Sequence, residues 1–196
     1  MSAYVPLFLA WLLFGALHSL TAATAFKQWA VKAGARFFRY YRLVYNAVAL
    51  VTFLPVLLAY GAAPRQTILV WTGSEMIGLG LIVLGVVLGV TALRGYDLAE
   101  FAGWPPRQTA AKPETLRRQG LLRYVRHPLY VALLIVLAGL LVRQPTLTNL
   151  LFDGFAFLYI RIGIYFEEQK LLTVFGHQYR QYQKQVPMLL PFSKLE

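Results

Sequence analysis

The chain has 196 residues, 58% of them hydrophobic and only 14% charged, with a net charge of +11 and no cysteine. A soluble domain of this length carries more charge and shorter apolar runs, so composition excludes one. The absence of cysteine excludes disulfides, cysteine-ligated metals and thiolate nucleophiles from the protein. The basic residues crowd the polar loops and no nucleic-acid recognition fold accompanies them. The charge is therefore read as membrane topology, and no nucleic-acid partner is expected.

Crossing a hydrocarbon core takes roughly 20 helical residues. Five apolar stretches, largely free of charge, predict spans over Tyr4–Phe26, Leu43–Tyr60, Thr67–Leu93, Pro128–Val142 and Leu147–Phe166. The first is too long for a cleavable signal and lacks a basic leader. Gly78, Gly85 and Gly89 in the third span predict close helix packing. The fourth span is short, and Pro145 breaks the helix after it. The fourth and fifth are therefore expected to form a hairpin turning at Arg143-Gln144-Pro145-Thr146. The fold expected is all-α, a polytopic bundle of about five transmembrane helices in a single domain. Its parts are three N-terminal spans (1–93), a polar loop (94–127), the hairpin (128–166) and a tail (167–196).

Lysine and arginine set the orientation. The first loop holds Lys27, Lys32, Arg36, Arg39 and Arg42. The loop after span three holds Arg94, Arg107, Lys112, Arg117, Arg118, Arg123 and Arg126, and the tail holds Lys170, Arg180, Lys184 and Lys194. The opposite loops hold only Arg65 and Arg143. This bias puts the N-terminus outside and both large polar segments and the tail in the cytoplasm. In the tail, Leu171, Phe175, Tyr179, Tyr182 and Val186 recur at helical spacing. That stripe reads either as an amphipathic helix at the interface or as a lid over a cofactor.

Two clusters could carry chemistry. In Gly120-Leu121-Leu122-Arg123-Tyr124-Val125-Arg126-His127-Pro128-Leu129-Tyr130, Pro128 suits a first helical turn. The N–H groups after it would hold an anion, with Arg126 and His127 adding donors. The competing reading is a basic anchor before an ordinary helix start. The second cluster opens with Glu167 and Glu168, expected at a helix C-terminus where the dipole opposes them. Arg126 or a bound ammonium group is expected to offset that. Within span five, Asn149, Asp153 and Arg161 are polar at membrane depth, where such groups face a protein interior or a wet cavity. Arg161 lies seven residues before Glu168, on the same helical face, and is expected to point toward the same pocket. Asp153, nearer the outer end, reads as structural, and His18 in span one as a hydrogen-bonding packer.

RHPLY, an apolar hairpin, then EE, FG, two tyrosines and VP resembles the isoprenylcysteine carboxyl methyltransferase superfamily over about Leu116 to Phe192. That superfamily includes phospholipid methyltransferases and bacterial relatives. HSLTAATAFKQW and RYYRLVYN are similar to a bacterial branch that holds methanethiol S-methyltransferases and membrane proteins linked to nitrite and nitric oxide reduction. The resemblance implies a bundle whose cytoplasmic end holds S-adenosylmethionine in a pocket, in a bacterial inner membrane. His127, Pro128 and Tyr130 would line the cofactor with Gly120, Leu121, Tyr124, Val125 and Arg126. Glu167 or Glu168 would meet its ammonium or ribose, and Tyr179 and Tyr182 would cover it. The chain lacks the Gly-rich strand–turn–helix of soluble nucleotide-binding folds.

Methyl transfer needs no metal. It needs alignment and exclusion of water, with Glu168 or His127 as base if the acceptor carries a proton. Arg161, Glu168 and His127 are the catalytic candidates. The acceptor expected is lipophilic, or a small thiol or carboxylate, reached among membrane lipids. A non-catalytic accessory protein of the nitrite and nitric oxide reduction type is the alternative. An NADPH-dependent enzyme similar to sterol reductases is a weaker one. A transporter fits less well, since no internal repeat is visible.

Overall fold

A computed structural model describes residues 2–32, 34–104 and 115–191. Arg107, Lys112 and Lys194 of the basic loops lie outside the described residues, as does Phe192 at the end of the motif region. Eight α-helices are present among the described residues: α1 (Val5–Ala22), α2 (Thr24–Lys32), α3 (Ala35–Ala62), α4 (Ser74–Leu93), α5 (Leu98–Ala102), α6 (Pro128–Arg143), α7 (Leu147–Phe175) and α8 (His177–Gln185). A 3-10 turn over Gly120–Arg123 precedes α6. Four helical segments are long and apolar enough to cross a membrane: Ser2–Ala22, Phe38–Ala62, Ser74–Leu93 and Leu147–Phe175, with Pro128–Arg143 as a shorter apolar helix. Their outward faces carry large exposed side chains such as Leu50, Leu58, Met76 and Val83, as lipid contact requires. The protein is an all-helical integral membrane protein.

The chain divides into two compact units. One takes Met1–Gln66 and Tyr96–Ala110, the other Thr67–Gly95 and Ala111–Glu196. In the first unit, α1 buries Leu7, Ala10, Trp11 and Phe14, positions spaced three and four apart and hence on one face. Trp11 and Phe14 meet Phe53 of α3 edge-on, at ring separations of 5.7 and 5.0 Å. His18 hydrogen-bonds the Tyr45 hydroxyl and Tyr41 donates to the Thr21 carbonyl, so His18 packs as a bonded polar group. The first helix stops at Ala22, short of the expected Phe26. Thr21 turns its hydroxyl back onto Leu17 O and His18 O (2.8 and 3.0 Å), and Ala23 is extended. The helix carrying the second span begins well before Leu43, at Ala35, because the aromatic and basic run ahead of it continues as helix.

In the second unit, α4 and α6 pack at very short range because glycine faces glycine. A Cβ on Gly78 would lie 2.6 Å from Arg143, and one on Gly139 would lie 2.8 Å from Gly78 O. A Cβ on Gly85 would lie 2.7 Å from Val136. Gly89 is looser, 3.6 Å from Ala132. The third span starts at Ser74 and not Thr67, since Gly73 (φ 89°) sets the helix start and the preceding residues are non-helical. Thr67 there bridges Thr146, and Ile68 N donates to Pro145 O at 2.8 Å.

The predicted hairpin turn is present. Thr146 caps α7 by accepting from Asn149 N (3.2 Å), and Asn149 Nδ2 donates to Gln144 O (2.7 Å). α7 runs 29 residues, about 43 Å at 1.5 Å per residue. That exceeds the roughly 20 residues a bilayer core needs. The expected end at Phe166 is overrun because Glu, Gln, Lys and Leu, which follow, all favour helix.

Candidate functional site

Gly176 decides how the tail meets the rest of the second unit. Its backbone (φ 50°, ψ −120°) is open to glycine and strained for other residues, and it ends α7 and starts α8. The apolar stripe read along the tail is therefore split between two helices. Its members still converge: Tyr179, Tyr182 and Val186 form a buried cluster against Leu116, Leu171, Leu172 and Phe175.

α8 and the residues after it fold back onto the RHP segment, mostly through backbone carbonyls. Arg126 N donates to Pro187 O (3.0 Å) and His127 N to Met188 O (3.3 Å). Arg126 Nη1 donates to Gln183 O (3.0 Å) and Val186 O (3.1 Å). Tyr182 donates its hydroxyl to Leu122 O at 2.6 Å, fixing the 3-10 turn. Arg118 donates to Gln178 O (2.6 Å) and lies over the Tyr182 ring at 5.4 Å. The expected anion site uses the N–H groups after Pro128, and these backbone donors lie before it. The Arg126 and His127 backbone donors are given to the tail, and Pro128 is buried at the first position of α6.

Glu168 is the hub of the assembly. Its Oε1 lies 2.8 Å from Arg126 Nε, 3.2 Å from His127 Nε2 and 3.3 Å from the Tyr179 hydroxyl, which donates to it. Gln183 Nε2 donates to Oε2 at 3.1 Å. The Arg126 Nε–H is close to Oε1 without being aimed at it, so that contact is charge against charge. The two Nη1 bonds supply direction. Arg126 and Glu168 side chains are 8% and 10% exposed, so the pair is shielded from solvent on both sides. Burial above all, then the Glu168 charge, pushes the Tyr179 hydroxyl well above its ordinary range. Tyr179 is thus held protonated, as a donor.

The dipole argument for the two glutamates is corrected: α7 continues to Phe175, so both sit within the helix and not at its end. The offsetting partner expected for them is present in Arg126. Glu167 differs sharply from its neighbour. Its side chain is 45% exposed, and its contact is His127 Nδ1 at 3.7 Å. His127 is buried between the two carboxylates, with the Tyr130 ring 5.7 Å from its own.

The other expected site residues fall as follows. Val125 is buried and Leu121 half-buried, while Gly120 (φ 63°) opens the turn. Tyr124 is 65% exposed and makes no part of the hub. Arg161 is also not brought to Glu168 or His127. Seven residues is nearly two full turns, so the arginine shares the face of Glu168 but lies about 10 Å away along the helix axis, next to Met188.

Gln183, Met188 and Arg118 are contributors that the sequence reading missed. Gln183 was legible. It lies four residues after Tyr179 and three before Val186, a polar side chain within an apolar stripe. Met188 carried no signal, because only the chain path after α8 places it.

Comparison with known proteins shows the family. The profile of a family described as NnrU protein matches residues 6–189. The methanethiol S-methyltransferase of Pseudomonas deceptionensis is 32% identical over 188 residues, 91% of this chain and 69% of the relative. Methanethiol S-methyltransferase 1 of Bradyrhizobium diazoefficiens is 35% identical over 86 residues, 43% of this chain and 29% of the relative. The methanethiol S-methyltransferase of Mycobacterium tuberculosis is 42% identical over 72 residues, 37% of this chain and 29% of the relative. The chain thus spans about two thirds of the first relative's length and under a third of the other two. No solved structure gives a significant match. The family profile, matched over nearly the whole chain, places the protein in the NnrU family of membrane methyltransferase-like proteins.

Proposed function

We propose that the protein transfers a methyl group from S-adenosylmethionine to a small or lipophilic acceptor, at a site on the cytoplasmic face of a bacterial inner membrane. The carrying observation is the contrast between the two glutamates. Glu168 has its acceptor capacity taken up by Arg126, His127, Tyr179 and Gln183. Glu167 stands beside it, half-exposed, with one long contact to His127. The donor set suits this cofactor. A carboxylate in reach of solvent answers an ammonium or ribose hydroxyl, and the aromatic rings of Tyr124 and Tyr130 suit a sulfonium charge. The names of the relatives, all thiol methyltransferases, support a thiol acceptor.

When bound, the cofactor supplies an electrophilic methyl carbon. The chain's own residues orient and shield. Glu167 anchors the polar end of the ligand, and His127 stays fixed between two carboxylates. Glu168 acts through its neighbours as a positioning residue, holding Arg126 and His127 in register with the tail. Restricting donor and acceptor to one alignment is worth several kcal/mol of the barrier.

Calorimetric titration of S-adenosylmethionine into the detergent-solubilised protein tests this. Micromolar binding is expected for the wild type. Glu167→Gln should weaken it about tenfold with the thermal midpoint unchanged, the worth of one charge-assisted hydrogen bond. No binding to a folded wild type overturns the reading in favour of a non-catalytic accessory protein. That second reading is favoured by how completely Glu168 is used up inside the fold.

A further inference from the structure

The chain has no aspartate or glutamate before Glu75, yet Lys27, Lys32, Arg36, Arg39 and Arg42 follow directly after the first span. Membrane topology asks only for an excess of cations at one end and is indifferent to their arrangement. In the first unit they are arranged. The chain reverses at Gly34 (φ 124°), and α2 lies back along the first turns of α3, with the Phe26 ring 6.3 Å from that of Tyr41. α3 is basic and aromatic up to Arg42 and apolar from Leu43, so α2 packs at the polar end of the span. α5 is pinned to the same place. Ala102 O accepts from Asn46 Nδ2 at 2.9 Å, and a Cβ on Gly103 would lie 2.6 Å from Leu43 N. Trp104, the next residue, is 66% exposed.

Lys32, Arg39 and Arg42 are exposed at this end, and so are Trp29 and Phe38. Among the described residues no carboxylate pairs with Lys32 or Arg39, and the Asp97 carboxylate caps Ala99 N at 3.0 Å. We infer that this surface of the first unit binds phospholipids of net negative charge. Lys32, Arg39 and Arg42 meet the phosphate, and Trp29, Phe38 and Trp104 meet the glycerol and upper acyl chains. The mixture of side chains selects the occupant. An acidic protein or a nucleic acid would leave exposed tryptophan and phenylalanine unmatched, whereas a phospholipid is anionic at one end and apolar at the other. The absence of nearby carboxylates selects the headgroup. A zwitterionic lipid brings an ammonium group that the cations repel, and a net-anionic one does not. The inference stands apart from methyl transfer and needs no ligand in the Glu168 region.

The full-length protein in detergent is titrated with phosphatidylglycerol and, separately, with phosphatidylcholine of the same acyl chains. Retained lipid is read by native mass spectrometry. The wild type should hold phosphatidylglycerol about tenfold more tightly or better, with the advantage shrinking as salt rises. Lys32→Gln, Arg39→Gln and Arg42→Gln together should lose about ten- to hundredfold in phosphatidylglycerol affinity and leave phosphatidylcholine unchanged. Lys170→Gln, Arg180→Gln and Lys184→Gln remove the same charge from exposed positions on α7 and α8 and should keep the advantage. Arg39→Lys with Arg42→Lys should keep most of it. Arg39→Gln alone should lose about fivefold, a readout that survives if the triple variant does not fold. Equal retention of the two lipids by the wild type overturns the anionic selection. Equal losses in the two triple variants, or no loss in Arg39→Gln, overturn this surface as the place of binding. Displacement of phosphatidylglycerol by millimolar inorganic phosphate overturns the lipid as its occupant.

Discussion

Glu168 and Glu167 are neighbours in the chain and opposites in environment, and substitution should separate them. Glu168→Gln removes the counter-charge of a buried arginine, which costs about 3–5 kcal/mol. Equilibrium unfolding in mixed micelles should show that loss, whereas Glu167→Gln should unfold like the wild type. Tyr179 gives the hub a pH signature. Its folded pKa lies above the unfolded value near 10, so its contribution is fully present below about pH 10 and lost as pH rises through the folded value. Tyr179→Phe should start about 1 kcal/mol less stable at neutral pH. Its stability curve should then converge on the wild type in alkali; parallel curves up to the alkaline limit would contradict the role given to this hydroxyl. At this scale the sequence exposed the residue types but not their allegiance. Arg126, His127, Glu168, Tyr179 and Tyr182 were all visible as candidates. Which glutamate is saturated depends on a tail whose return path no local pattern specifies.

Among the helices, the α4–α6 contact is the most sharply specified. Gly78, Gly85 and Gly139 let backbone touch backbone, and a methyl group at any of them meets atoms under 3 Å away. Gly85→Ala should cost about 1–3 kcal/mol through overpacking. Gly80→Ala, on the same helix with nothing within 4 Å of its Cβ position, should leave the thermal midpoint where it is or raise it slightly. Equal losses at both positions would place the effect in helix propensity and remove the packing account. The all-helical class and the approximate number of spans were legible because long apolar runs leave few alternatives to membrane helices. Helix ends were less so. The aromatic-basic run before Leu43 and the Glu-Gln-Lys run after Phe166 are polar yet helical, so the loss of apolar character marks the edge of the bilayer and not the end of the helix. The break at Gly176 was hidden for the opposite reason, since the stripe of apolar residues continues across it.

For the whole molecule, topology and function rest on different evidence. The expected orientation rests on arginine and lysine bias, and the absence of cysteine makes it easy to check. Single cysteines placed at Arg65 and at Lys184 should react with an impermeant maleimide from opposite sides of the membrane. Reaction from one side would overturn the assignment. The order in which the site can be made follows from the spacing of its contacts. Leu122 and Arg126 bind partners about 60 residues further along the chain. A ribosome therefore delivers Arg126 and His127 to the membrane surface long before Glu168, Tyr179 and Gln183 exist. Until α7 emerges, the arginine has no counter-charge and must stay hydrated, so the first half of the site waits open. Closure of the Arg126–Glu168 pair then reports that synthesis has passed Glu168 of α7, and a chain interrupted earlier keeps a wet, uncompensated arginine.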